Sequence, residues 1–292
     1  MEKQKEEQKE EQKQRTFFGN FRKVFKHKQG LIGIILVGFI LFLAIFSPFF
    51  SPHNPLTRNM VRMLEPPSRD HFFGTDVMGR DQFSQILFGA RVTMGSSMTS
   101  VIISLAIGLF LGIIAGFFGG YLDLIITTIM DFLLSFPTLI MALVIVSILG
   151  ANLTNAVIAV GLQGVPIFTR FIRGEVLVQK NIEYIEGARA LGAKNIRIIF
   201  KHLIPNISSQ IIVLVSLEIP RVILMLAGLG FIGLGAQPPV LEWGRLLVSS
   251  RDFIHLAPWL LYFPGLAIMI SVLGFNLLGN ALRDIYDPSL RE

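Results

Sequence analysis

The sequence contains no cysteine among its 292 residues. That absence excludes disulfides, thiolate nucleophiles and cysteine-held zinc. Charge is scarce too: Asp, Glu, Lys and Arg make up 16% of the chain, against about 25% in soluble domains. Too few ionic side chains remain to clothe a water-soluble body of this length. No GxxxxGK[ST] run occurs, so a P-loop nucleotide site is not expected in this chain. Of the five histidines, His27, His53, His71, His202 and His255, no two stand at metal-ligand spacing, which argues against a protein-held metal.

What is present is apolar. Hydrophobic residues make up 52% of the chain, with 25 Phe and 27 Gly, and the mean hydropathy is +0.62. Glycine is commoner in membrane helices than in soluble ones, so the class expected is an all-α, polytopic membrane protein. A spanning helix needs about 20 mostly apolar residues. Six segments qualify: 31–50, 94–118, 124–150, 153–173, 207–236 and 256–281. The third contains Asp131 and Pro137, and the fifth contains Glu218, Pro220 and Arg221. Only GANLTN (150–155) separates the third from the fourth, so that turn must be tight.

The first fifteen residues balance five Glu against five Lys or Arg and read as a solvated tail. Phe17, Phe18, Phe21 and Phe25 then recur at helical spacing among Arg22, Lys23, Lys26 and Lys28, a pattern suited to a helix lying among lipid headgroups. The formal charge of +6 would suggest nucleic acid for a soluble protein. Here its distribution across a membrane explains it better. With the N-terminus in the cytoplasm, the inner segments hold eighteen Lys and Arg against seven outside. The positive-inside rule then puts both termini in the cytoplasm. The organisation expected is a polar tail and interfacial helix (1–30), a first span (31–50) and an extracytoplasmic loop (51–93). A five-helix core (94–292) follows, with a cytoplasmic loop at 174–206.

Within that loop, EYIEGARALGAKNIRIIFKHLIPN (183–206) is basic and amphipathic. Ile196, Ile199, Phe200 and Leu203 form one apolar stripe, with Lys194, Arg197 and Lys201 facing the other way. Ile185, Ala188 and Leu191 form a second, shorter stripe, and Gly192 stands between the two, where it can end one helix and let the chain turn. Pro205 marks a break before the fifth span. The shape expected is a helix–turn–helix lying on the inner membrane face.

The order of these residues resembles the EAA loop of ABC-importer permeases: Glu186, Ala188, Gly192 and Pro205 match it, and Gly187 replaces its middle Ala. Four more stretches resemble the dipeptide, oligopeptide and nickel branch of that family. GTDVMGRDQFSQILFGARVT (74–93) carries its outer-loop motif at Gly74, Asp76, Gly79, Arg80 and Asp81, with Gln85 where Arg is usual. GLGAQPPVLEWGRLL (233–247), RFIRGEVL (170–177) and GNALRDIYDPSLR (279–291) are similar to its other signatures. The resemblance covers residues 20–292 and implies a type I importer permease in the bacterial cytoplasmic membrane. The implied partners are a homologous second permease subunit, two ATP-binding subunits and an extracytoplasmic solute-binding protein. ATP and Mg would sit on the partner subunits, with no cofactor on this chain and no catalysis by it. The implied cargo is a small peptide, nickel or a metal chelate. The loop residues Glu186, Gly187, Ala188, Leu191, Gly192, Lys194, Arg197 and Pro205 would dock into the ATPase.

Several residues keep more than one reading. Glu186 can cap a helix end or pair with Arg170 or Arg173. Glu218 and Arg221, three apart, can line a translocation path or form an internal ion pair across Pro220. Asp131 lies near the inner face and suits an anchor for a neighbouring cytoplasmic element rather than a substrate contact. Asp76, Arg80, Asp81 and Arg91 suit a surface salt-bridge cluster shaping the outer loop. Gly108, Gly112 and Gly116 suit close helix packing. A secondary transporter coupled to protons or sodium through Asp131 and Glu218 is the main rival. A membrane-embedded enzyme would need a catalytic set at membrane depth, and no histidine lies well inside a span.

Overall fold

The computed structural model describes residues 23–286. Phe17, Phe18, Phe21 and Arg22 of the expected interfacial helix, and the DPSLR end of the C-terminal motif, lie outside the described residues. The chain folds into helices α1 (Lys28–Phe50), α2 (Gln82–Phe118), α3 (Gly120–Leu134), α4 (Thr138–Leu149) and α5 (Leu153–Lys180). These are followed by α6 (Glu183–Ala190), α7 (Asn195–Phe231), α8 (Trp243–Ser250) and α9 (Trp259–Tyr286). Helices α1, α2, α5, α7 and α9 are each long and apolar enough to cross a membrane. On α1, Phe39, Phe42, Phe46 and Phe49 are exposed, the last by 84%. In water such a surface would aggregate, whereas lipid tails satisfy it.

Helix α2 has 37 residues, hence about 55 Å at 1.5 Å per residue, well beyond a hydrocarbon core of about 30 Å. It therefore starts earlier than the span 94–118 read from hydropathy. Asp81 starts it as N-cap, accepting from the Ser84 N–H at 2.8 Å. The expected third span (124–150) is not one straight helix: α3 and α4 meet at 92°. Pro137 has no N–H to continue the ladder and disfavours helix at Phe136. The spans number five, or up to six if the bent pair counts as one. The tight turn at GANLTN is present: Asn152 caps α5 at Asn155 N–H (2.8 Å), and Asn155 Nδ2 donates to Leu149 O and Gly150 O at 2.7 and 2.9 Å.

The tightest seam joins α2 to α5. A Cβ on Gly108, Gly112 or Gly116 would lie 2.4, 2.8 or 2.7 Å from Phe168, Thr169 or Val176, so the small-residue spacing does permit close approach. Ser100 Oγ and Ser104 Oγ donate across the seam to Val157 O (3.0 Å) and Gly161 O (2.6 Å). Helix α1 lies against α9, where Gly33 and Gly274 let the two backbones meet.

Candidate functional site

Polar chemistry collects at the two ends of this bundle and at one point inside it. At one end, α6 and the start of α7 form the projection expected from residues 183–206. Gly192 (φ +79°) ends α6. Ala193 N–H donates to Ala188 O at 3.0 Å and Gly192 N–H to Arg189 O at 2.9 Å, the paired bonds of a Schellman stop. Pro205 does not break the chain as expected. A π-helical turn at Ile198–Leu203 absorbs it, with Ile204 N–H donating to Ile199 O five residues back, and the helix runs on to Phe231.

The apolar stripe read from sequence splits in two. Ile185, Ile198, Ile199 and Leu203 are buried, but Ile196, Phe200 and Leu191 stand 72, 68 and 87% exposed. The π turn lengthens the local period, so residues three apart, Ile196 and Ile199 or Phe200 and Leu203, no longer share one face. Lys194, Arg197 and Lys201 are exposed beside them, which makes the outward surface both apolar and basic.

This projection is anchored to the bundle by cations. The Arg189 guanidinium lies over the Phe117 ring at 5.3 Å, and Lys180 Nζ donates to Gly116 O at 2.9 Å, near the carbonyl end of α2. Arg173 Nε and Nη2 grip Asp123 at 2.5 and 2.7 Å, and Arg170 pairs with Asp131. Both arginines are thus committed to α3, and among the described residues Glu186 pairs with neither. Glu186 lies in the first turn of α6, where negative charge suits the helix dipole. Asp131 is tied to α5 through Arg170. Arg170 and Arg173, three apart on one face of α5, thus reach two acids of α3 rather than Glu186.

Inside the bundle, Arg221 Nε donates to Glu218 Oε2 at 2.6 Å. The carboxylate side chain is 12% exposed and the guanidinium 27%. Gly164 on α5 leaves room for Ser104, whose Oγ would lie 2.3 Å from an added Cβ, and Arg221 Nη2 lies just beyond at 3.6 Å. That Nη2 is buried, without a hydrogen-bond partner among the described residues.

At the opposite end, the outer-loop motif is a knot rather than a surface cluster. Asp76 is buried, and its Oδ1 accepts from Met78 N–H and Arg80 N–H at 2.8 and 2.9 Å. Its Oδ2 accepts from Arg80 Nε at 2.7 Å and Gln85 Nε2 at 2.9 Å, so Gln85 serves the carboxylate directly. Arg91 takes no part in it. Gly74 (φ +74°) and Gly79 (φ +66°) hold the left-handed turns, and a Cβ on Gly79 would overlap Asn59 O at 1.8 Å. The Gln-Pro-Pro and Glu-Trp-Gly segment docks beside it. Glu242 caps α8 by accepting from Gly244 and Arg245 N–H at 2.9 and 3.0 Å, and Trp243 Nε1 donates to Ile86 O at 3.0 Å. Burial pushes the Glu242 carboxyl above its ordinary range. In the same region His53 and His71 come together, their ring centroids 4.8 Å apart. The histidine spacing in sequence gave no sign of this.

Two family models match: "Binding-protein-dependent transport system inner membrane component" over residues 108–292, and "N-terminal TM domain of oligopeptide transport permease C" over residues 16–67. The chain is 43% identical over 272 residues to a dipeptide transport system permease protein, DppC, of Alkalihalophilus pseudofirmus, covering 93% of this chain and 90% of that one. It is 44% identical over 279 residues to DppC of Escherichia coli K12, with 93% of both chains covered. Its fold is similar to that of an inward-facing MetNI methionine ABC transporter chain, with TM-score 0.58 at 16% identity, covering 70% of this chain and 98% of that one. With a matching family model over residues 108–292 and relatives aligned along nearly the whole chain, it belongs to the family of binding-protein-dependent transport system inner membrane components.

Proposed function

We propose that this chain is the permease subunit of an ATP-driven importer for short peptides in the bacterial cytoplasmic membrane. It works with a second permease subunit, two ATPase subunits and an extracytoplasmic solute-binding protein. ATP and Mg are used by the ATPase subunits; this chain transmits force and catalyses no bond change. We read the bent α3–α4 pair as one crossing, giving six spans with both termini cytoplasmic, as the lysine and arginine count favours. The close relatives named for dipeptide transport favour a dipeptide over nickel or a metal chelate as cargo.

One observation carries the coupling role: the 183–206 projection buries one set of apolar residues while Leu191, Ile196 and Phe200 point outward beside Lys194 and Arg197. A lever needs a rigid root and a sticky tip. The root is fastened by Arg189, Lys180 and the Schellman stop. The exposed tip suits an apolar cleft with an acidic rim on an ATPase, where the charges add specificity and on-rate more than affinity. Glu186, Gly187, Ala188 and Gly192 shape the root, and Pro205 marks its join to α7.

Glu218 and Arg221 stand in this reading as an internal pair beside the translocation path. The ion-coupled alternative needs Asp131 and Glu218 free to exchange cations, and each is engaged by an arginine. Dipeptide uptake in proteoliposomes holding the full transporter tests the proposal. ATP-dependent uptake that survives an uncoupler is expected. Uptake that collapses with an uncoupler and ignores ATPase loss would overturn it.

A further inference from the structure

His53 follows α1, and His71 and Asp81 lie in the loop leading to α2, so chain spacing separates them. The fold brings one ligand atom from each to within 4.8 Å of the others. Two imidazoles and a carboxylate form a nitrogen–oxygen set that suits zinc and its first-row neighbours rather than calcium or magnesium.

Each ligand is already oriented by a second contact. His53 Nε2 faces the Asp70 carbonyl oxygen at 2.9 Å. A carbonyl can only accept, so Nε2 carries the proton and Nδ1 holds the lone pair, the arrangement that metal-ligating histidines adopt. Asp81 Oδ2 is taken by Ser84 N–H and Oγ at 2.8 and 2.6 Å, which leaves Oδ1 to face the cluster. His71 Nδ1 lies 2.9 Å from that Oδ1, the separation of two ligands about 90° apart on an ion with bonds of about 2.0–2.1 Å.

We propose that His53, His71 and Asp81 bind a borderline divalent transition ion, such as Zn2+ or Co2+, at this end of the bundle. The ion displaces the proton between His71 Nδ1 and Asp81 Oδ1, and His53 swings in from the exposed side by roughly 1–2 Å to complete three bonds. His71 and Asp81 are buried, whereas His53 is exposed, so ions enter from that side and a fourth position stays open to water. Bound there, the ion clips the segment after α1 to the first turn of α2, reinforcing the His53 N–H bond to Ser84 Oγ at 3.3 Å.

Arg62 competes with the ion. Its Nη1 lies 3.2 Å from His71 Nε2 and 3.5 Å from Asp70 Oδ2. A metal on Nδ1 requires the remaining proton on Nε2, which can then no longer accept from Arg62, so the guanidinium must shift to Asp70. Removing Arg62 should therefore tighten metal binding, which a purely structural hydrogen-bond cluster would not do.

The test uses the full-length transporter carrying no polyhistidine tag, stripped with chelator and titrated with Co2+ and Zn2+. One Co2+ per chain with visible d–d absorption, displaced by Zn2+, is expected. His53→Ala, at an exposed position, and His71→Gln should each weaken binding about tenfold or more, and Arg62→Gln should tighten it several-fold. Thermal unfolding of His53→Ala without metal should match the unaltered protein. Cobalt uptake no greater than in the His53→Ala variant, or unchanged by Arg62→Gln, would overturn the site. Peptide uptake is not the readout, so failure here leaves the importer assignment intact.

Discussion

The two ends of the bundle use the same kinds of residue in opposite ways. At the 74–93 end, charged groups are folded inward: Asp76 and Asp81 are buried, and each carboxylate oxygen accepts at least one hydrogen bond. At the 183–206 end, Lys194, Arg197 and Lys201 are exposed, and so are Leu191, Ile196 and Phe200. A buried, satisfied polar network specifies one geometry. An exposed surface of mixed apolar and basic character suits an interface. The first end is built to hold its shape, whereas the second leaves an apolar and basic surface uncovered by the described residues of this chain.

Substitutions can break that comparison. The largest effect is expected from Gly79→Val, which adds a Cβ into Asn59 O where φ is already positive. The outer knot should fail, with a loss of several kcal/mol read as lost expression of folded transporter. Leu191→Glu with Phe200→Glu should act on function instead. Uptake and co-purification of the ATPase subunits should fall at least tenfold, while the melting temperature of the isolated permease stays within a few degrees. A large drop in melting temperature would mean that these side chains support the fold.

Next in size is Glu242→Ala, which strips the cap from α8 and should cost about 1–2 kcal/mol in denaturant or thermal unfolding. Glu242→Gln should cost less and should remove a pH dependence. Burial raises this carboxyl's pKa in the folded state. The stability linked to it is therefore fully present below the ordinary carboxylate pKa and is lost as pH rises through the raised value. Gly192→Ala should be milder, about 1 kcal/mol, because nothing lies within 4 Å of the added Cβ and only the left-handed backbone resists. The smallest effect is expected from Lys194→Ala with Arg197→Ala: a slower, less salt-sensitive association with the ATPase subunits, and little change in stability.

Hydropathy alone located α1, α5, α7 and α9 but not all of their ends: α5 runs on to Lys180 rather than 173, and α7 starts at Asn195 rather than 207. It also located α2, but not its extra-membrane start, because residues 82–93 are helical through Asp81 capping and burial against Trp243 rather than through lipid contact. Pro137 was visible in the sequence, but a proline fixes only where a helix bends. The 92° at which α3 meets α4 depends on what each half packs against. The Glu186–Gly192–Pro205 spacing marked the projecting segment correctly and misjudged its surface. A π turn adds a residue to the local period, so Ile196 and Phe200 face outward although a regular helix would turn them in with Leu203.

The sequence by itself determined that the chain lives in lipid, that it does so as a bundle of long apolar helices, and which transport family it belongs to. Each of these rests on composition, on runs of about 20 apolar residues, or on motifs whose order survives without knowing contacts. Only the tertiary structure decided the long-range pairs: Asp123 and Asp131 with the arginines, and His53 with His71. Partner choice among charged and polar groups depends on distances set by helix packing, and packing brings together residues that chain spacing keeps apart.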